Sequence, residues 1–430
     1  MNYYKRTADA LLKDLLDAFG AVLIEGPKWC GKTTTASQLA NSILRMQDPS
    51  MRDEYLVTAK TKPSILLNGD TPRLIDEWQD APMLWDAVRT TVDDRQIPGQ
   101  FILTGSNAVD KSQIHHSGAG RITRLRMLPM SLWESKESTG EVSLKELFNN
   151  PDYDIDGKMS KMSIEDLIFA ASRGGWPASL LARTPKAQLL VAKNYVQTIC
   201  LDEISGIDGK RRDAKLTSMI LRAYARNVST LVKKKSLIDD VISSGEVSCH
   251  TDTFDDYVSA LEKLFVIQNV SAWCPAIRSK TAIRSSVKRC FCDPSIPIAL
   301  LGLSPEALSM QLKTFGFIFE QMCIRDLKAY TIDLNSHVSY YHDRYDLEAD
   351  IVLHLEDGRY ALIECKLGSR EIDDGAKHLL ELKRLIQEHN ETEKQVPIRE
   401  PDLLIVMTGG TMAYTRPDGV KVIPLACLKD

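Results

Sequence analysis

The chain has no apolar run near the ~18 residues that a membrane-spanning helix requires, and its opening Met1-Asn2-Tyr3-Tyr4-Lys5-Arg6 lacks the apolar core of a secretory leader. Both absences predict a cytoplasmic protein with no membrane partner. None of its nine cysteines forms a C-x-x-C pair and their number is odd, which excludes a disulfide framework and the usual zinc spacings. Cys290-x-Cys292 therefore reads as strand residues. Positive charge is not in excess either: the formal net charge is −4, which argues against a general nucleic-acid coat and leaves local basic patches open. The acidic stretch Asp152 to Asp156 lacks the bidentate carboxylate that closes a calcium loop, since Ser163 holds that place. The rest is ordinary globular composition, 43% hydrophobic and 26% charged over 430 residues, a length for roughly two to four domains.

The richest stretch is Gly26-Pro27-Lys28-Trp29-Cys30-Gly31-Lys32-Thr33, which fits G-x-x-x-x-G-K-[ST] and directly follows the apolar run Ala21-Val22-Leu23-Ile24. Strand, glycine loop and helix in that order make a phosphate-binding loop. Gly26 and Gly31 let the chain wrap an anion, and backbone N–H groups at the positive end of a Thr33–Ala40 helix point at it. Lys32 is placed to reach the β- and γ-phosphates and Thr33 to hold Mg²⁺, with Thr34 beside them in the nucleotide-binding set. A helix over Ala8–Phe19 leads into the first strand.

A second apolar approach, Arg73-Leu74-Ile75-Asp76-Glu77, ends in adjacent acids. At the carboxyl edge of a parallel sheet these acids meet the bound ligand. Asp76 is expected in the Mg²⁺ shell and Glu77 as the group that polarises the attacking water. The next strand ends at Thr104, Ser106 and Asn107, any of which suits a γ-phosphate sensor; Ser106 is the preferred one. Arg121, and after it Arg124, are candidates for an arginine finger acting in cis or on a neighbour in a homo-oligomer. The adjacent Asp76-Glu77 pair suits water activation, which disfavours a small-molecule kinase.

Tyr4-x-Arg6, the G-P-K-W-C-G-K-T-T loop, Leu74-Ile75-Asp76-Glu77-Trp78-Gln79, Ile102-Leu103-Thr104-Gly105-Ser106, Ala119-Gly120-Arg121 and Leu128-Pro129-Met130-Ser131 resemble the prokaryotic AAA-like ATPases that carry a C-terminal domain of unknown function. The similarity runs over nearly the whole chain. It implies an AAA+ sheet, ATP as the nucleotide and a C-terminal nuclease-like fold. Trp29-Cys30 departs from the smaller or polar residues common in that loop, a change expected to alter affinity without removing the site.

Ser135–Ser163 is polar and reads as a connection. After Gly174-Gly175-Trp176-Pro177 a helical region runs through Leu189–Ile204. Helices over Leu216–Val228, Ser236–Ser243 and Phe254–Phe265, followed by strands Val266–Trp273 and Arg289–Cys292, make a winged helix. Lys233-Lys234-Lys235 and the wing residues Arg278, Lys280, Arg284, Lys288 and Arg289 are candidates to neutralise DNA phosphates. Asp252, Asp255, Asp256 and Glu262 on the third helix oppose its entry into a groove.

In the last third, Glu348-Ala349-Asp350 and Ile363-Glu364-Cys365-Lys366 flank the turn Glu356-Asp357-Gly358. Glu364 and Lys366, two apart on a strand, share a face. A two-residue turn puts Asp350 opposite Cys365, facing away from Glu364. A three-residue loop with Gly358 in the left-handed position puts Asp350 across from Glu364 and aligns Ile351 with Ile363 and Leu353 with Ala361. In that register Asp350 and Glu364 are candidate Mg²⁺ ligands and Lys366 orients water and steadies developing charge. The arrangement resembles the PD-(D/E)xK nuclease core, with Glu320 on the preceding helix, Phe315–Leu327, as a fourth member. A helix over Gly375–Gln387, with an exposed His378, and a strand over Leu403–Met407 complete a mixed sheet.

The expected whole is an α/β multidomain protein: an AAA+ ATPase domain with a parallel sheet over residues 1–134, a linker and helical lid over 135–215, a winged-helix-like domain over 216–300, and a mixed α/β PD-(D/E)xK nuclease-like domain over 312–430. The expected function is ATP binding and hydrolysis coupled to a nuclease-like domain acting on or at DNA. The alternative is a regulatory or protein-binding ATPase switch whose C-terminal module cuts nothing.

Overall fold

The computed structural model describes residues 3–106, 116–245, 247–273, 286–343, 345–392 and 397–430. Asn107, Arg278, Lys280 and Arg284 lie outside these residues. The chain divides into two compact units, one of Met1–Pro129, Asp202–Arg211 and Ser259–Val266, the other of Met130–Leu201, Arg212–Val258 and Ile267–Asp430.

In the first unit α1 (Ala8–Ala18) buries Ala8, Leu12 and Leu16 at a spacing of one helical turn. It leads into β1 (Ala21–Glu25), α2 (Lys32–Leu39), β2 (Ser42–Arg45), α3 (Arg52–Thr61), β3 (Arg73–Asp76), α4 (Met83–Arg95), β4 (Phe101–Gly105) and β5 (Ile122–Arg126). The five strands form one sheet in the order β2-β3-β4-β1-β5, with every pairing parallel. β1 and β4 are buried at every position, as continuous apolar runs must be when both faces of a sheet are covered. One face packs Leu23, Ile75, Phe101 and Leu103 against Leu84, Trp85 and Val88 of α4. In this order the strand that feeds the phosphate loop and the strand that ends in Asp76 are separated by β4.

The second unit contains β6 (Val142–Ser143), α5 (Ile164–Arg173), α6 (Pro185–Thr198), α7 (Ala214–Arg226), α8 (Lys234–Ser243), the first turns of α9 (Thr251–Lys263), α10 (Leu312–Tyr330), β7 (His337–His342), β8 (Glu348–His354), β9 (Tyr360–Lys366), α11 (Ile372–Thr392), β10 (Leu403–Thr408), β11 (Tyr414–Thr415), β12 (Lys421–Pro424) and β13 (Leu428–Lys429). Ser163, which rules out the calcium loop, is instead the N-cap of α5, in a reciprocal capping box with Asp166. The predicted connection Ser135–Ser163 is not all loop: it carries β6, parallel to β13, and a short helix, Leu144–Asn149.

The large sheet of this unit runs β11-β12-β10-β9-β8-β7. It is antiparallel through β7, β8 and β9 and parallel through β9, β10 and β12. Ile372, Ala376, Leu379, Leu382 and Ile386 of α11 pack on Val352, Leu362 and Val406 of one face.

The segments predicted as the wing pair antiparallel through the Gln268 N–H to the Cys290 carbonyl and through reciprocal bonds between Val270 and Lys288. The described residues hold single antiparallel bridges, Ile267 to Phe291 and Val270 to Lys288. Lys288 and Arg289 are only 5% and 9% exposed. The Arg289 guanidinium donates to the Val232 carbonyl and to the Tyr224 hydroxyl. Neither side chain is free to meet a DNA phosphate, which corrects the basic-wing reading at these two positions.

Candidate functional site

In the first unit Gly26 has φ +150° and Gly31 φ +100°. A Cβ on Gly26 would lie 2.3 Å from the Met127 carbonyl oxygen, so the loop closes only around a residue with no side chain. Gly31 turns the chain into α2. Lys32, buried at the start of that helix, donates to the carbonyls of Gly26 at 3.0 Å and Pro27 at 2.9 Å. Thr34 is exposed in the same turn.

The parallel register sets Asp76 beside Thr104 and Glu25 beside Gly105, so the carboxyl ends of three strands meet at the loop. Asp76 Oδ1 accepts a 2.7 Å bond from the Thr33 hydroxyl and another of 2.7 Å from the Thr104 hydroxyl. Glu77 adopts a left-handed backbone, φ +56°, uncommon for a residue with a Cβ and characteristic of functional turns. Its N–H donates to Thr104 Oγ1 at 3.3 Å and its carboxylate accepts from Gln79. Burial pushes the Glu77 carboxyl above the usual carboxylate range, while the Gln79 bond and the Lys32 charge pull it back.

Thr104 is therefore the residue that the structure brings to Asp76 and Glu77; Ser106 is buried just beyond β4. Arg121 is held by Asp93 Oδ1 at 2.6 Å, and Arg124 lies 3.6 Å from the Glu25 carboxylate. The sequence reading missed Glu203, whose carboxylate pairs with Lys28 of the loop at 2.6 Å. The two are 175 positions apart, and no local pattern links them.

In the second unit β8 and β9 pair in the three-residue-loop register: Ile351 faces Ile363 and Leu353 faces Ala361. Leu355 N–H donates to the Arg359 carbonyl and Gly358 takes φ +86°. The carboxylates of Glu348, Asp350 and Glu364 each offer an oxygen, all within 4.8 Å of one another. Glu348 was missed although the signal was present, since residues two apart on a strand share a face.

Glu364 is 0% exposed. Its Oε2 lies 2.6 Å from Lys366 Nζ, and its Oε1 has no hydrogen-bond donor among the described residues. His378 Nδ1, on a side chain 39% exposed, is 3.7 Å from that oxygen. Asp350 Oδ2 accepts from the Cys365 N–H at 2.8 Å. Burial, reinforced by the Asp350 charge, pushes the Glu364 carboxyl up to about 8, against the pull of Lys366. Burial opposes the Lys366 charge, but Glu364 and Asp350 hold its pKa above the ordinary lysine value. Three convergent carboxylates with one buried oxygen that has no donor fit a hard divalent cation.

Glu320 does not join this trio. Its carboxylate is bonded to the buried ammonium of Lys288, a residue that the sequence reading had assigned to the wing.

Residues 18–136 match the AAA domain family. Residues 164–307 and 315–428 match two domains of unknown function, DUF8612 and DUF4143. Uncharacterized proteins of Mycobacterium tuberculosis and Mycobacterium bovis are each 23% identical over 366 residues, spanning 83% of this chain and 72% of their own. The solved Walker-type ATPase of Pyrococcus abyssi aligns over 70% of this chain and 96% of its own, at 12% identity and a TM-score of 0.42. The N-terminal part of the chain carries an AAA-like P-loop ATPase domain. Among the described residues no helix is long and apolar enough to cross a membrane.

Proposed function

We propose that the chain is an ATP-driven switch whose second unit holds a divalent cation for phosphodiester chemistry on DNA, in a PD-(D/E)xK-like arrangement. The observation that carries the ATPase reading is the meeting of Thr33, Thr104 and Asp76 on one carboxylate oxygen beside Glu77. Gly26, Gly31 and Lys32 cradle the phosphates, and Thr33 and Asp76 are the residues that would hold Mg²⁺. Bound there, the ion offsets charge on the phosphate oxygens. Glu77, raised by burial and oriented by Gln79 and Thr104, takes the proton of the attacking water. Arg121 serves as a finger only after leaving Asp93.

In the second unit Glu348, Asp350 and Glu364 would hold a cation, which supplies Lewis acidity to a phosphoryl oxygen. Lys366 positions water and carries positive charge to the developing oxyanion. Exposed Lys233 and Lys235, beside Lys234 in its pair with Asp255, offer the DNA backbone a contact.

The test is a pair of assays on purified protein. Lys32→Ala is expected to abolish nucleotide binding, and Glu77→Gln to keep binding while slowing hydrolysis by about 10²–10⁴-fold, the usual worth of a general base. Full hydrolysis in Glu77→Gln removes that residue from the role. Mg²⁺ or Mn²⁺ with single-stranded, duplex and branched DNA is expected to give cleavage that Asp350→Ala and Lys366→Ala both lose. No cleavage under any condition favours a regulatory switch with a non-cutting C-terminal module.

A further inference from the structure

Lys288 is a charged side chain only 5% exposed, and it comes from outside the 315–428 family match. Its ammonium bonds to the Glu320 carboxylate and to the Asp350 carbonyl oxygen at 2.8 Å, and lies 3.8 Å from Asp350 Oδ1. It therefore bridges two carboxylates next to the Glu348, Asp350 and Glu364 trio. That is the place where a second divalent cation would sit in a two-metal site sharing Asp350, with Glu320 as its further ligand.

The charges point the same way. Four carboxylates, those of Glu320, Glu348, Asp350 and Glu364, face the two ammonium groups of Lys288 and Lys366. With all four ionised, as they would be around a bound ion, two negative charges are left over, which match one divalent ion, whereas two such ions would leave a positive excess.

We infer that Lys288 is a built-in cation that fills the second metal position, so that this site takes one divalent ion and not two. Lys288 is then a positioning residue: it fixes Asp350 through its carbonyl and keeps Glu320 out of the ligand set. The inference rests on the reading that Glu348, Asp350 and Glu364 hold a cation, and its test separates the two.

Full-length protein without nucleotide is titrated with Mn²⁺, and free ion is followed by its electron paramagnetic resonance signal. The sites belonging to this cluster are those lost in a Glu348→Gln, Glu364→Gln double variant. One site is expected in the intact protein, one in Lys288→Arg and two in Lys288→Met. Two sites in the intact protein, or a single site of unchanged affinity in a folded Lys288→Met, overturns the inference and leaves the cation reading standing. Equal counts in the intact protein and the double variant overturn the cation reading itself. If Lys288→Met fails to fold, Glu320→Gln decides: the count stays at one if Lys288 is the second cation, and a drop in the count overturns the inference.

Discussion

His354 shows how a side chain's neighbours change its chemistry. It stacks on Tyr360 with ring centroids 4.9 Å apart and lies 5.2 Å from the Trp273 ring. Burial, then the His337 charge, push it down to about 4 from an ordinary 6.5. Between these values the unfolded chain binds a proton that the folded chain does not, so stability falls as pH drops from about 6.5 to 4. His354→Phe is expected to flatten the denaturant midpoint across that window; an unchanged slope assigns the pH dependence elsewhere. Lys32 and Gly26 belong to another class. Their placement follows from backbone geometry within one loop, and that geometry was legible in the order of the residues. Thr104 was one of three residues left open at the end of β4, and only the register with Asp76 singles it out.

The β8–β9 hairpin carries the acidic trio through its turn. Gly358 at φ +86° closes a three-residue loop, and each face of the hairpin follows from that length. Gly358→Ala places an L residue in the left-handed region and is expected to cost about 1–2 kcal/mol, lowering the denaturation midpoint with the pairing kept. Deleting Asp357 shifts the register by one and turns Asp350 away from Glu364. Mn²⁺ binding at the cluster should then vanish, and its survival would show that Asp350 is not a ligand. The helices after residue 212 qualify the expectation of an acidic third helix: Asp256 is paired with Arg212 at 2.9 Å and Asp255 with Lys234 at 2.8 Å. Their charges are partly neutralised within the fold. The strands expected of the wing pair at Gln268 with Cys290 and at Val270 with Lys288, while Lys288 and Arg289 are buried.

For the whole molecule, the proposal is that nucleotide state governs the second chemistry. ATP is expected to change the rate of metal-dependent DNA cleavage, and Lys32→Ala to remove that response while basal cleavage persists. Cleavage that ignores ATP in the unaltered protein would separate the two activities. The sequence by itself determined the phosphate loop and the Asp76-Glu77 strand end, and narrowed Asp350 and Glu364 to two registers, between which the structure chose. Each depends on residues close together in the chain, where backbone geometry leaves few alternatives, two for the β8–β9 turn. Tertiary structure alone decided that Glu203 meets Lys28, that Glu320 is bound by Lys288, and that Glu364 is wholly buried. These follow from packing between segments far apart in the chain, and the cost of burying charge without a partner selects which of them pair.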